Sequence, residues 1–338
     1  MLFLFLKSLK MKSKLLFYLG CICLICVVAC KKSSPTDPTT KLAGVVFGTT
    51  YSIKYVADTD YKTSIDSLFQ ITNASLSTYI ADSDISRINA GDTTVVVDNL
   101  FLEVFQKSKR IYKETSGYFD PTVCNLVNAW GFGYKKEQQD LDSAQVKTLM
   151  AHVGFDKIVV NDRKLRKEDA AVCLDFNSIA KGYGIDVVGR FLESKGIVNY
   201  LVEIGGEIRA RGVKFNGELW KVGIDNPNTD GSRSFSKLVT LDNQSMASSG
   251  NYRKFRIGAN GKKYVHTINP KTGFAVESNL LSATVFAPGD CADVDAYATA
   301  FMAMGFEKTK LFLAKFPELR VVLLYVNQEG SIQEYTNY

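Results

Sequence analysis

The sequence predicts an α+β fold in one large domain that follows a separate leader segment. Helical and strand patterns succeed one another without the regular strand–helix–strand rhythm of a doubly wound sheet. No second linker, charge block or repeat interrupts residues 43–338. With 46% apolar and 22% charged residues in 338, the composition is that of a globular protein, which excludes a long disordered chain.

Four segments have the pattern of helices with recognisable ends. Residues 99–116 carry apolar side chains at helical spacing and stop at a glycine. Residues 142–153 begin with a capping acid and residues 178–195 follow a strand-like run, and both are also followed by glycine. Residues 291–305 form a further helix that opens with acidic residues after Pro288 and Gly289.

Short segments rich in branched and aromatic residues predict strands at 200–204, 219–224, 281–286 and 321–326. Most of them are bounded by Gly, Pro, Asn or Asp, which favour turns. Strands and helices therefore alternate irregularly, as expected for an α+β domain.

The basic balance of the chain comes from its first 32 residues. Six of the 41 basic residues lie there and no acidic residue does, so the chain from Ser33 onward carries 35 basic and 35 acidic residues. A nucleic-acid binder needs a basic surface, and this neutral body gives no sign of one.

The amino terminus has the pattern of a bacterial lipoprotein signal. An uncharged apolar run, residues 15–29, follows a basic stretch and ends in small residues before Cys30. We predict a signal peptide over residues 1–29, a lipidated Cys30, and a flexible linker over residues 30–42, with Met11 as an alternative start. A plain signal peptide and an uncleaved anchor helix are the rival interpretations. The lipoprotein interpretation predicts a protein held at a membrane of the bacterial envelope and facing the periplasm.

Only three cysteines, Cys124, Cys173 and Cys291, lie beyond the leader. Three separated thiols predict no disulfide framework, and we expect Cys173 and Cys291 to be small buried apolar residues. With only two histidines, His152 and His266, a structural zinc site is not expected.

Several stretches carry more Gly, Asp, Asn and hydroxyl residues than packing requires. Residues 117–134 include Asp120 in a turn and an aromatic, glycine-rich edge. Residues 175–186 place Lys181 one turn inside a helix whose amino terminus suits a phosphate. Each stretch equally fits a structural role, as a tight loop or a capped helix with a solvated lysine.

Three later stretches carry further polar groups. Residues 204–207 and 246–253 combine glycines with polar side chains, and His266 follows in YVHTINPKTG. Asp295 and Thr299 lie four residues apart on one helix face, where both oxygens could reach one cation. Mg²⁺ prefers such oxygen ligands, although acids at a helix start also simply offset the helix dipole.

Taken together and in this order, these stretches resemble the FAD:protein FMN transferases, the ApbE-type flavin transferase family. The similar blocks are GTTYSIKY at Gly48, STYIADSDISRIN at Ser77, GYFDPTVCNLVNAWGFG at Gly117, DFNSIAKGYGID at Asp175, VEIGGEIRARG at Val202, MASSGNYR at Met246, VHTINPKTG at Val265 and ADVDAYATAFMAMG at Ala292. The resemblance implies a single α+β domain of mixed, mainly antiparallel sheet with packed helices. It also implies Mg²⁺-dependent transfer of FMN from FAD, through a phosphoester bond, to a Thr or Ser hydroxyl of an exported acceptor protein, with release of AMP.

The same resemblance assigns roles by position. His266 is the candidate base for the acceptor hydroxyl, and the metal would be held by side-chain oxygens of Asp295 and Thr299 and a backbone carbonyl at Ser178. Contacts to FAD are expected from Phe47, Tyr79, Tyr118, Phe119, Asp120, Asp175, Lys181 and the backbone at Ile268.

The sequence departs from the family pattern at several of these blocks. Phe47 replaces a usual Met, Cys124 a usual Gly, and Asn269 a usual Asp in the segment of His266. Because a carboxylate beside an imidazole raises its pKa, we hypothesise that Asn269 gives a lower pH optimum.

Two other functions use the same residues. A Mg²⁺-dependent FAD pyrophosphatase would release FMN and AMP to water, and a non-catalytic lipoprotein would bind FAD alone. Asp295, Thr299 and His266 argue against the non-catalytic lipoprotein, since binding the rings of FAD requires neither a pair of metal ligands nor a base.

Overall fold

The computed structural model describes residues 36–135, 140–227, 234–251, 255–258, 261, 263–275 and 278–338, and residues 38–338 form one compact unit. The predicted signal peptide and Cys30 lie outside the described residues. No helix within the described ranges is long and apolar enough to cross a membrane.

The strands of the described ranges are numbered along the chain. They are Thr39–Val46 (β1), Thr49–Val56 (β2), Ile158–Asn161 (β3), Lys164–Lys167 (β4), Tyr200–Ile204 (β5), Glu207–Arg211 (β6), Trp220–Asp225 (β7), Phe235–Leu241 (β8), Gln244–Gly250 (β9), Phe255–Ile257 (β10), Lys263–Val265 (β11), Leu280–Pro288 (β12), Arg320–Val326 (β13) and Ile332–Thr336 (β14).

The helices of the same ranges are Lys62–Leu76 (α1), Asp84–Asn89 (α2), Asn99–Glu114 (α3), Cys124–Ala129 (α4), Ser143–Met150 (α5), Ala180–Ser194 (α6), Cys291–Met304 (α7) and Phe306–Leu313 (α8). The predicted helices differ from α3, α5, α6 and α7 by only a few residues at each end. α5 begins after Asp142, whose side chain accepts the Gln145 amide in a capping box.

An eight-stranded antiparallel sheet forms the centre of the domain. Its order is β1-β2-β5-β6-β9-β12-β13-β14. This sheet with packed helices confirms the predicted α+β class. β1 begins at Thr39, so residues 39–42 belong to the sheet and not to the predicted linker; their backbone pairs with β2.

The two faces of the sheet carry different layers. Helices α6 and α7 pack on one face, where Ala283 and Val285 of β12 join the main apolar core. The β7–β8 hairpin covers part of the other face, with Trp220 and Ile224 against apolar sheet residues that include Phe286. Because side chains alternate along a strand, neighbouring residues of β9 and β12 serve different layers.

Cys124 and Cys173 form a disulfide bond, which the sequence did not predict. The two residues are 49 positions apart, and a bridge between Val123 and Cys173 brings their segments together. The expectation that Cys173 is merely a buried apolar residue is therefore wrong, whereas Cys291 is a free, buried cysteine. Pairing depends on a tertiary contact that no local spacing encodes.

Candidate active site

A cavity of about 450 Å³ opens where the two central helices meet the ends of the sheet and several loops. Residues from separate parts of the chain form its wall. Those predicted from the sequence are Tyr79, Tyr118, Phe119, Asp120, Asp175, Ser178, Lys181, His266, Ile268, Asp295 and Thr299. The tertiary structure thus brings together most of the predicted site.

One predicted site residue, Phe47, does not line the cavity. Phe47 lies at the turn after β1 with φ of 49°, and its ring packs edge-on against Phe69 at 5.6 Å between centroids. A Cβ at Gly184 of α6 would lie 2.4 Å from that ring, so Phe47 occupies the space left by this glycine. Phe47 is not part of the cavity wall, and Cys30 lies outside the described residues.

Helices α6 and α7 are in close contact beside the cavity. A Cβ at Gly182 would lie only 2.5 Å from the Cys291 carbonyl oxygen, so glycine permits this approach. The Gly182 amide donates to Oδ2 of Asp295 at 3.0 Å. Because α7 is buried around most of its circumference, its Asp295 is only 3% exposed.

A charged cluster of Lys181, Glu207 and Asp295 lines the cavity, with both acids buried and the lysine side chain about one-third exposed. The Lys181 ammonium donates to Oε1 of Glu207 at 2.6 Å, while Oε2 of Glu207 is buried and has no hydrogen-bond partner among the described residues. Fully ionised, the cluster carries one net negative charge. It is therefore short of one positive charge.

The pKa values in the cluster depend first on burial and then on the charges of the neighbouring groups. Burial raises the pKa of Glu207 to about 7, although the Lys181 charge partly lowers it. Burial likewise raises the pKa of Asp295, against the lowering effects of Lys181 and the Gly182 amide. Burial lowers the pKa of Lys181, but Glu207 and Asp295 raise it to above the ordinary lysine value.

Hydroxyl groups adjoin the cluster. Oγ1 of Thr299 lies 3.3 Å from Oγ of Ser249, at the end of β9. Within the described ranges, no three His, Cys, Asp or Glu side chains group as a metal cluster. Any cation here would therefore need hydroxyl, backbone, phosphate or water oxygens in addition to Asp295, the kind of set that Mg²⁺ accepts.

Another part of the cavity wall combines aromatic rings with a third buried acid. Asp120 is 7% exposed, and its Oδ1 accepts hydrogen bonds from the Thr122 amide at 2.8 Å and hydroxyl at 2.6 Å. Burial raises the pKa of Asp120 to about 6, although these bonds and Lys271 lower it. Tyr118 and Phe119 precede it on the same wall.

His266 lies directly after β11 on a segment held by its neighbours. The hydroxyl of Thr267 donates to Oδ1 of Asn251 at 2.8 Å, in a buried contact. The side chain of Asn269 accepts the Lys271 amide at 2.8 Å and so closes the following turn. His266 therefore lies on a loop that these contacts hold in place, and it lines the cavity.

The sequence did not single out some residues that the structure places in or beside the site. Glu207 was noted only as part of a glycine turn, and its partner Lys181 is 26 residues away. Asp186 is fully buried and accepts the amides of Cys291 and Ala292 at 2.8 and 2.9 Å, which caps α7. The only available signal was that both acids lie in blocks that resemble the family.

Several other proteins are similar in sequence to this chain. The sequence model of the ApbE family matches residues 47–323. The FAD:protein FMN transferase of Haemophilus influenzae is 37% identical over 90% of this chain and 91% of that protein. The protein of the same name from Vibrio cholerae is 34% identical over 88% and 90%.

Solved structures agree with the sequence comparison. Flavin transferase ApbE from Vibrio cholerae superposes with a TM-score of 0.77 at 32% identity, over 88% of this chain and 96% of that one. The apo form of Pseudomonas stutzeri flavinyl transferase ApbE gives 0.78 at 29%, over 88% and 94%. On its sequence and its fold, the chain belongs to the ApbE family.

Proposed function

We propose that this protein transfers FMN from FAD to a Thr or Ser hydroxyl of an exported acceptor protein, with Mg²⁺, and releases AMP. The observation that carries the proposal is one cavity that combines the charged cluster of Lys181, Glu207 and Asp295 with His266. The relatives named FAD:protein FMN transferase support the same activity.

The donor atoms fit a magnesium ion. Asp295 and Thr299 would supply side-chain oxygens and Ser178 a backbone carbonyl, while a cation would offset the net negative charge of the cluster. When bound, the ion supplies charge neutralisation for the pyrophosphate and the departing AMP.

The residues of the chain would bind and orient the two substrates. Tyr118 and Phe119 offer an apolar surface for a ring of FAD, and the ammonium group of Lys181, in the first turn of α6, would attract a phosphate. The acceptor oxygen attacks the FMN phosphorus, its proton passes to His266, and the bond to the AMP oxygen breaks. General-base catalysis of this kind is typically worth about 10²–10⁴-fold.

We further propose that the protein acts outside the cytoplasm as a lipoprotein, anchored through Cys30 in the cell envelope. The signal-like leader supports this location. The Cys124–Cys173 bond also supports it, because disulfides persist mainly in oxidising compartments.

The test is a labelling reaction with purified protein, FAD, Mg²⁺ and periplasmic extract, with EDTA in a parallel sample. We expect one acceptor protein to gain the mass of FMN, with an equal amount of AMP, only without EDTA. FMN and AMP with no labelled protein would instead indicate a pyrophosphatase, and intact bound FAD would indicate a carrier.

Matched variants connect the reaction to the site. Asp295→Ala should abolish Mg²⁺-dependent turnover, and His266→Ala should slow transfer at least about 100-fold while FAD still binds. Asp293→Ala on the same helix and His152→Ala are the controls, since neither residue lines the cavity. Wild-type turnover in both site variants would show that these roles are wrong.

A further inference from the structure

A second cavity of about 290 Å³ lies between the sheet and the β7–β8 hairpin. We call it the hairpin groove. It shares Gly205, Ser248, Ser249 and Gly250 with the wall of the first cavity, so the two spaces adjoin at the end of β9. Ser249 contacts Thr299 on the helix side, whereas Ser248 lies opposite Thr284 on the hairpin side.

The groove is lined largely by polar groups. The hydroxyls of Ser248 and Thr284 lie 2.8 Å apart and share a hydrogen bond. Ser282, two residues from Thr284 on the same strand face, is 4% exposed, and its hydroxyl has no hydrogen-bond partner in the described part of the chain. A buried hydroxyl without a partner costs about 1–3 kcal/mol, so a polar ligand group here would be favourable.

The hairpin contributes a mixed wall opposite these hydroxyls. Asp225 supplies a carboxylate and Phe235 an aromatic side chain that is 53% exposed. At about 290 Å³ the groove is smaller than the first cavity, and a second dinucleotide would not be accommodated. Its polar floor and aromatic wall are suited to a short piece of polypeptide.

We propose that the hairpin groove binds the acceptor polypeptide on one side of its modified hydroxyl. The inference rests on the proposed FMN transfer. A Ser or Thr hydroxyl is only one bond beyond Cβ. The main chain of the acceptor must therefore come close to the first cavity for the hydroxyl to reach the FAD proposed to bind there. The main chain then needs partners for its amide and carbonyl groups, which the groove hydroxyls provide.

The test compares two changes at Ser282 in the intact protein. Ser282→Ala removes the hydroxyl and Ser282→Val also fills the space. The probe is the acceptor protein recovered in the labelling reaction. We expect the acceptor KM to rise about three- to tenfold for Ser282→Ala, the range of one hydrogen bond, and more for Ser282→Val. The affinity for FAD should stay within twofold of wild type.

Ser108 provides a matched control. Its hydroxyl is also buried without a partner among the described residues, but it lies on α3 and lines neither cavity. Ser108→Ala should leave the acceptor KM unchanged, and thermal unfolding should show that all three variants fold.

Each outcome is decisive. An acceptor KM within twofold of wild type in both Ser282 variants would overturn the groove assignment while FMN transfer stands. A parallel loss of FAD affinity would also overturn the groove assignment, because it would show that Ser282 acts on FAD in the first cavity. If the wild-type protein labels no protein, the transfer function itself fails and the groove assignment falls with it.

Discussion

The Cys124–Cys173 bond should contribute several kcal/mol to the free energy of unfolding. The cross-linked residues are 49 positions apart, and the chain-entropy relation for such a loop gives a loss of about 14 cal/mol/K in the unfolded chain. At 25 °C this corresponds to about 4 kcal/mol. Because both side chains are buried, the matched perturbation is the double variant Cys124→Ala, Cys173→Ala.

The bond also joins two segments that each contribute residues to the first cavity, but it does so together with backbone contacts. The Asp175 amide donates to the Pro121 carbonyl at 2.8 Å, and Val123 bridges to Cys173. These contacts remain in the double variant. We therefore expect the free energy of unfolding to fall by about 4 kcal/mol, while FAD affinity under native conditions changes less than about threefold.

The assay is equilibrium unfolding in guanidinium at 25 °C, with and without a thiol reductant. The unfolding midpoint of the wild type should fall when reductant is added, whereas that of the double variant should not change. Cys291→Ala is the control: because the Cys291 thiol is free, the difference in midpoint between this variant and wild type should be the same with and without reductant. Two results would refute the reasoning. One is a difference in unfolding free energy between wild type and the double variant below about 1 kcal/mol; the other is three reactive thiols in the unfolded wild-type protein, prepared without its leader and without reductant.

Three further changes test individual contacts. Asp186→Ala should lower the free energy of unfolding by about 3 kcal/mol in urea, since the amides of Cys291 and Ala292 lose their buried acceptor and each unsatisfied buried group costs about 1–3 kcal/mol; a loss under about 1 kcal/mol would contradict the capping role. For Asp120, a pKa raised from 3.8 to about 6 means that the fold favours the protonated acid, so its destabilising contribution grows between about pH 4 and 6 and reaches about 3 kcal/mol. The melting temperature of Asp120→Asn should therefore rise relative to that of wild type between about pH 4 and 6. Melting temperatures that follow the same pH dependence in both proteins would exclude the effect. Asn269→Asp should move the acidic limb of the pH–rate profile upward by raising the pKa of the imidazole at the base position, and an unchanged limb would remove that hypothesis.

Local patterns were sufficient for the elements that carry the site. Strand β5 has the predicted bounds, and helices α3, α5, α6 and α7 lie within a few residues of theirs. These signals depend on side-chain periodicity and on caps, which involve residues close in the chain. The order of the blocks was likewise enough to recognise the ApbE family, which the comparisons confirmed.

Contacts between distant segments could not be predicted in this way. The sequence was sufficient to predict four of the helices, several strands, the family and eleven residues of the cavity wall. Only the tertiary structure decided that Lys181 pairs with Glu207, that Cys124 pairs with Cys173, and that Phe47 packs against Gly184 and does not line the cavity. It also decided that Ser282 faces a second cavity beside the first. The physical reason is that pairing and burial depend on which surfaces meet after folding, and that information lies in the whole set of packing contacts and not in any one stretch of chain.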